Sequence, residues 1–443
     1  MRDAWMLFLI AALVTGGGCK KKTAPTQKAQ PEKVVSQPLN LLFITVDCLR
    51  WDRVGFGGCE RDLSPNMDRL AEEGIVFSRA YSQAGWTLPS LATLLTGLYP
   101  RDHGAVRLDT AVRADVRTLA ERLSEDGYQT HGYVTHVLLV PDYGLNRGFD
   151  VYDYSVLDKG HPHDISTSEE VTDLAIQGLV GAKEPFFIWV HYFDPHYLYL
   201  PHAEWESFGE EPSDLYDQEV AYTDRHMGRL IDAVREEGLM ERTVIFLAGD
   251  HGEEFGEHGG IYHLTCHEEV LRIPMAARAP SLKKMKHQGR VEQIDVYPTI
   301  LGLLGMNPDP GLPGRDVLSE GAADMTERPL FAERVRPPGL YQRAVVQGQK
   351  KLILVEKVPL ETLSPNARKE TEMVDYPEEG EYLYDLGSDP YEKRNLIQEA
   401  DFEEKEKLRA ALDRFSGGET VAGGDVPLSP KRRDELRSLG YMN

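Results

Sequence analysis

The stretch Leu39-Asn40-Leu41-Leu42-Phe43-Ile44-Thr45-Val46 is nearly all apolar and β-branched, and it ends on Asp47. A short continuous apolar run of this kind reads as a strand buried on both faces, as in a parallel sheet. Two further runs repeat the pattern. Pro185-Phe186-Phe187-Ile188-Trp189-Val190 leads into His191, Asp194 and His196, and Thr243-Val244-Ile245-Phe246-Leu247-Ala248 leads into Gly249, Asp250 and His251. Helical segments separate them: Met67–Glu73 stopping at Gly74, Leu119–Asp126 stopping at Gly127, and Glu219–Glu237 stopping at Gly238. This alternation predicts an α/β fold with a mostly parallel central sheet sandwiched by helices. All three runs deliver acidic or histidine residues at their carboxyl ends, the edge at which open α/β sheets bind ligands. Packing alone predicts no such bias.

Outward from that core the pattern changes. Beyond Pro313, Arg343–Val346 and Lys350–Val355 read as two strands joined at Gly348, with Glu381–Leu386 as a third before Gly387. A helix at Phe402–Phe415 completes a smaller C-terminal antiparallel sheet plus helix. Residues 361–380 and 417–424 read as surface loops. The expected divisions are 1–19, a leader; 20–37, a tether; 38–320, the catalytic α/β part; and 321–443, a small α+β part and tail.

At the other end, residues 4–14 form one apolar run followed by Thr15-Gly16-Gly17-Gly18-Cys19. The run is too short to span about 30 Å of hydrocarbon and has the length of a signal-peptide core. The small residues before Cys19 resemble the processing box of bacterial lipoproteins, in which that cysteine is lipidated. Lys20–Gln37, rich in Lys, Pro and Gln, then reads as a tether. An ordinary cleaved signal, with Cys19 incidental, is the alternative. Either way the expectation is export: a bacterial cell-envelope protein, held to the membrane by an N-terminal lipid and facing the periplasm or surface.

The whole chain has 443 residues, 41% of them hydrophobic, with 49 Lys and Arg against 72 Asp and Glu, a net charge of −23. Such an acidic chain is a poor partner for nucleic acid, whose phosphates it repels. Four cysteines are too few for a disulfide scaffold. The oligomeric state is not readable from the sequence.

The chemistry concentrates in two segments. In Gly85-Trp86-Thr87-Leu88-Pro89-Ser90-Leu91, running on to Gly97, Pro89 suits a first helical turn and Gly97 a stop. Thr87 reads either as a satisfied N-cap or as a hydroxyl at a helix N-terminus, where free amides favour an anion. A threonine nucleophile needs activation, which a metal on its oxygen supplies. In Gly249–His263, Asp250 and three histidines fall together. Asp47, Asp250 and His251 are the metal candidates, carboxylates suiting hard divalent ions and an imidazole moving the preference toward Mn or Zn. Glu253 and His258 read as solvated loop residues. The spacing does not match two histidines on one helical face of a metalloprotease.

Asp47 with Leu49-Arg50-Trp51-Asp52 and Gly55, then Ser64-Pro65-Asn66-Met67-Asp68-Arg69-Leu70-Ala71 with Glu73-Gly74, resembles the opening of the sulfatases, members of the alkaline phosphatase superfamily. Thr87–Gly97 lies over their signature segment. The resemblance continues through Pro100–Gly104, Gly148-Phe149-Asp150, Asp194-Pro195-His196, Gly249–Gly252 and Arg272-Ile273-Pro274 to Leu383-Tyr384-Asp385-Leu386. It implies one divalent metal ion (Ca, Mn, Mg or Zn) held by Asp47, Thr87, Asp250 and His251. It puts Thr87 at the nucleophile position and His196 at a histidine touching the transferred group or leaving oxygen. His263 and Thr135 stand at two substrate-binding lysine positions, with His136 beside the second. His103 is expected to be structural. The implied substrate is a small-molecule or glycan ester.

Three departures qualify the resemblance. Sulfatases of known mechanism oxidise Cys or Ser at the nucleophile position to formylglycine, and the extra methyl of Thr87 forbids that aldehyde. Leu91 replaces an arginine and Cys48 a second aspartate. The remaining set resembles phosphate-transferring relatives with threonine nucleophiles. The sequence therefore points to a metal-dependent hydrolase of sulfuric or phosphoric esters working through a covalent threonine intermediate. The alternatives are a non-catalytic sulfatase-like envelope lipoprotein and a phospho-headgroup transferase.

Overall fold

A computed structural model describes residues 37–159, 164–202, 208–263, 265–280, 282–319, 328–334, 340–357, 378–416 and 423–438. The leader with Cys19, nearly all of the tether, and most of the loops expected at 361–380 and 417–424 lie outside the described residues.

Nine strands build the large sheet: β1 (Asn40–Val46), β2 (Ile75–Tyr81), β3 (Gln129–Val134), β4 (Val151–Asp153), β5 (Phe186–Tyr192), β6 (Thr243–Gly249), β7 (Arg272–Ile273), β8 (Met275–Arg278) and β9 (Met285–Glu292). Their order is β7-β2-β8-β6-β1-β5-β3-β4, with β9 also pairing with β2. β1 lies parallel between β5 and β6, and β3 and β4 extend the parallel side. β8 pairs antiparallel with β6 and β2. The three apolar runs of the sequence are thus the three adjacent strands at the centre of a mostly parallel sheet. The runs that were not legible are short or carry polar residues, as in Gln129–Val134 and Met285–Glu292.

Successive side chains of a strand point to opposite faces, and β1 shows the result directly. Leu41 and Phe43 pack with Leu88, Leu91 and Leu95 of α2 (Thr87–Thr96) on one face. Leu42, Ile44 and Val46 pack on the other with Met67 of α1 (Pro65–Glu72), Val171 of α3 (Ser168–Gly181) and Val220 of α4 (Pro212–Glu236). The α4 helix starts earlier than its apolar pattern suggests. Pro212 takes its first turn, and Glu211 and Asp214 form a reciprocal cap there. Among the described residues no helix is long and apolar enough to cross a membrane.

The C-terminal part forms a four-stranded antiparallel sheet, β10 (Leu330–Arg334), β11 (Leu340–Gln347), β12 (Lys350–Lys357) and β13 (Gly380–Asp385), in that spatial order. The β11–β12 hairpin turns through Gly348 at φ 58°, as its sequence required. One face carries α5 (Phe402–Ser416) through Leu352, Leu383, Leu408 and Leu412. The opposite face packs Ile353 and Val355 onto Cys266, Val270 and Leu271. Lys351 is buried there between Glu268 and Glu392, 3.0 Å from each.

Candidate metal and nucleophile site

The carboxyl edge of the large sheet gathers the chemistry because of its register. Val46 is level with Tyr192 of β5 and Gly249 of β6, so the next residue on β1, Asp47, and the next on β6, Asp250, emerge side by side. Both are fully buried. Asp250 Oδ1 accepts the backbone N–H groups of Cys48 (3.1 Å) and His251 (2.6 Å). Its carbonyl is held by Ser90 Oγ and Gln293 Nε2, both at 2.6 Å. Asp47 Oδ2 faces His191 Nε2 at 3.3 Å. The other oxygen of each carboxylate, Asp47 Oδ1 and Asp250 Oδ2, accepts no hydrogen bond.

Those two oxygens converge on one nitrogen. His251 Nδ1 lies 2.9 Å from the Gly252 carbonyl, which only accepts, so Nδ1 carries the proton and Nε2 a lone pair. His251 Nε2 stands 3.6 Å from Asp47 Oδ1, 3.5 Å from Asp250 Oδ2 and 3.5 Å from Thr87 Oγ1. Donors about 2.0–2.2 Å from a tetrahedral ion are themselves about 3.3–3.6 Å apart, so each of these separations is that of two donors to one cation, and Asp47, Cys48 and His251 bring possible ligand atoms within 4.8 Å of one another. Burial pushes both carboxyls well above the ordinary carboxylate range, and for Asp250 the neighbouring Asp47 charge adds to it. Burial holds His251 well below the usual histidine value, keeping it a neutral ligand. Two buried carboxylates without a facing cation are costly, and a divalent ion removes that cost.

Thr87 is the first residue of α2, not its N-cap. Trp86 takes the cap position, and no side-chain capping bond is made. The satisfied-cap reading is thereby corrected. α2 lies with every residue buried and delivers the Thr87 hydroxyl to the cluster. His103, fully buried, accepts the Ala105 N–H on Nδ1 and bonds to Pro89 O through Nε2, fastening the first turn of that helix.

Two further histidines flank the cluster. His196 Nδ1 is 2.5 Å from the Tyr197 carbonyl, which leaves Nε2 as the lone-pair nitrogen. The His263 ring lies 5.4 Å from that of His196 and 4.6 Å from that of His251. Cys48, at φ 54°, places Sγ 3.6 Å from His263 Nδ1. Glu253 and His258 correct the sequence reading. Glu253 is fully buried, 3.5 Å from His263 Nδ1, and burial pushes its carboxyl up to about 8. His258 is hydrogen bonded to Glu269 and to Glu392 O, not solvated. Glycines and charged residues around both suggest a loop in water; instead Cys48, Tyr199 and His263 enclose Glu253, and Tyr384 and Glu392 lie against His258.

Thr135 and His136 follow β3. The Thr135 hydroxyl donates to His191 O at 2.9 Å. His136 is buried with Nε2 3.8 Å from Asp47 Oδ2. His191 was not singled out as a site residue, although it ends the Phe186–Tyr192 run level with Thr45. That register, visible only once the strands are paired, was the missing signal. Of the aromatic residues around His196, Tyr192 and Phe193 are buried and Tyr197 meets Tyr262 at 4.3 Å.

A sequence profile of the sulfatase family matches residues 39–306. An ulvan-active sulfatase of Formosa agariphila is 23% identical over 91% of this chain and 78% of its own length. The phosphonate monoester hydrolase of Agrobacterium radiobacter superposes with a TM-score of 0.67 at 18% identity, over 84% of this chain and 96% of its own. A structure solved with its substrate D-glucosamine-2-N,6-O-disulfate superposes with a TM-score of 0.68 at 18% identity, over 86% and 98%. The fold is common to all of these.

Proposed function

The chain belongs to the sulfatase family, and from that premise we propose that it is a metal-dependent ester hydrolase whose nucleophile is the Thr87 hydroxyl. The observation that carries this reading is the convergence of Thr87 Oγ1, Asp47 Oδ1 and Asp250 Oδ2 on His251 Nε2 at 3.5–3.6 Å. When bound, a divalent ion there supplies charge to lower the Thr87 hydroxyl pKa and to neutralise a non-bridging oxygen of the ester. Thr87 Oγ attacks in line, forming an ester to the central phosphorus or sulfur while the bond to the leaving oxygen breaks.

The departing alkoxide needs a proton. Burial first, and then the adjacent His263, hold His196 well below the usual histidine range, so it is neutral and suits hydrogen bonding more than proton donation. His263 stands beside Glu253, which retains a proton near neutrality. The Glu253–His263 pair is therefore the better source. Water then attacks the same central atom, the bond to Thr87 Oγ breaks, and a proton of that water restores the Thr87 hydroxyl.

Phosphate mono- and diesters, or phosphonate monoesters, suit this nucleophile better than sulfate. A phosphothreonine is open to hydrolysis at the same centre, whereas a sulfothreonine lacks the second hydroxyl by which formylglycine enzymes expel sulfate. The acceptor side of the ester is a small molecule or glycan, in keeping with relatives that act on sulfated sugars. The ion is one of Ca, Mn, Mg or Zn, and attachment to the cell envelope through a lipidated Cys19 completes the proposal. A non-catalytic envelope protein would have no use for two buried carboxylates held apart from any cation. Turnover of nitrophenyl phosphate, phosphodiester, phosphonate and sulfate esters under several divalent ions tests the reading. Activity on the phosphorus esters is expected; turnover of sulfate alone contradicts it.

A further inference from the structure

A chain of hydrogen bonds runs from the core of the sheet to Asp47, and chemistry fixes its direction. Trp189 Nε1–H donates to Thr45 Oγ1 at 3.0 Å, and an indole nitrogen can only donate. The Thr45 hydroxyl has one proton of its own to give. His191 Nδ1 lies 2.9 Å away and Val190 O 3.4 Å, and because a carboxylate that can only accept faces the other ring nitrogen, the hydroxyl gives its proton to the nearer Nδ1 rather than to Val190 O. His191 must then carry its hydrogen on Nε2, the atom 3.3 Å from Asp47 Oδ2. His136 turns the same ring nitrogen toward that oxygen but stops beyond hydrogen-bond reach. The Leu138 backbone N–H donates to its Nδ1 at 2.9 Å, which leaves the hydrogen on Nε2, 3.8 Å from Asp47 Oδ2. All four side chains in this array are fully buried.

We propose that Trp189, Thr45 and His191 are positioning residues for the divalent ion, forming a relay that pins Asp47 Oδ2 with an N–H and so presents Oδ1 to the metal. This rests on Asp47 being a ligand. The reversed tautomer of His191 would set a lone pair against the carboxylate, and Asp47 would have reason to turn. The relay is built into strand register: Thr45 on β1 is level with His191 on β5, two residues before Asp47. It also explains a polar threonine and an indole N–H in the otherwise apolar sheet centre, since each satisfies the other. Partners of this kind, one bond removed from the ion, typically change metal affinity by 10–100-fold.

Calorimetric titration of the metal-free full chain with Mn²⁺ tests the relay. His191→Phe and Thr45→Val should each weaken binding about 10–100-fold, while His191→Gln and Thr45→Ser, which keep the donors, should stay within about threefold of the wild type. Wild-type affinity in Thr45→Val, or equal losses in Thr45→Ser and Thr45→Val, overturns the relay. Asp47→Asn separates the two levels. If it binds Mn²⁺ like the wild type, the ligand assignment itself falls and the relay with it. If it loses Mn²⁺ while Thr45→Val does not, only the relay falls. Imidazole ¹⁵N shifts of the unmutated chain give a check that no misfolded variant can spoil: a hydrogen on His191 Nε2 is expected, and one on Nδ1 contradicts the proposal.

Discussion

Two buried clusters of carboxylates and histidines sit close together in the chain, and they differ in a way composition does not show. Around Asp47, Asp250 and His251, two carboxylate oxygens face a lone-pair nitrogen and accept no hydrogen bond. Around Glu254, His258, His267 and Glu269 the donor types would serve a metal equally well. There, however, Thr265 donates to Glu254 and bonds to His267, His258 is tied to Glu269 and Glu392 O, and the two imidazoles stack at 3.7 Å. Lys351 neutralises Glu268 and Glu392 beside them. The first cluster keeps its charge unspent; the second has used its charge to fasten the small sheet to the loop that carries His251 and His263. On the proposed reading, unpaired buried charge marks the reactive centre, and residue type alone does not.

The largest effect expected from this contrast is catalytic. Thr87→Ala should lower turnover at least about 10⁴-fold with the melting temperature little changed, because it removes the proposed nucleophile but no core packing of consequence. Lys351→Met probes the other cluster. It leaves Glu268 and Glu392 without their cation and should cost about 3–5 kcal/mol of stability in a denaturant titration, while divalent-ion content stays at the wild-type level. Chelation follows in size. Removing an ion present at about 100 times its Kd should lower stability by about 2.7 kcal/mol, and the same treatment of Asp250→Asn should change nothing.

The smallest effect concerns pH. Burial pulls His258 down, but the Glu269 hydrogen bond, the charges of Glu269 and Glu392 and the bond to Glu392 O together outweigh it and push His258 up to about 9. A histidine raised in the folded state contributes its stability in full below about pH 6.5 and loses it as pH rises toward 9. Allowing for partial solvent access, the wild type should lose about 2 kcal/mol across that window relative to His258→Gln. A difference that grows in the opposite direction would show that His258 is neutral in its pair.

The three central strands, the mostly parallel sheet and the C-terminal hairpin were legible because each is a short apolar run or carries a turn glycine. The proposed ligands Asp47, Asp250 and His251 stand out in the sequence for the same reason: they end those runs. What the sequence hid was pairing. Glu253 and His258 look solvated among Gly249, Gly252 and Gly256, since the groups that cover them are remote in the chain: Cys48 and Tyr199 beside Glu253, Tyr384 and Glu392 beside His258. His191 looks like one more strand-end histidine until Thr45 is level with it. Strand β2, with Ser78 and Arg79, lacks the continuous apolar signature although it pairs centrally with β7, β8 and β9. Thr87 looked like a cap because threonine so often is one, and only backbone geometry shows Trp86 in that position.

The central claim is that one cation and the Thr87 oxygen share a point in space. Crystals of the full chain soaked in Mn²⁺ and measured at the manganese absorption edge address it directly. The account predicts a single strong anomalous peak bounded by Asp47 Oδ1, Thr87 Oγ1, Asp250 Oδ2 and His251 Nε2. A peak at Glu254, His258 and Glu269 with none beside Thr87 would contradict it.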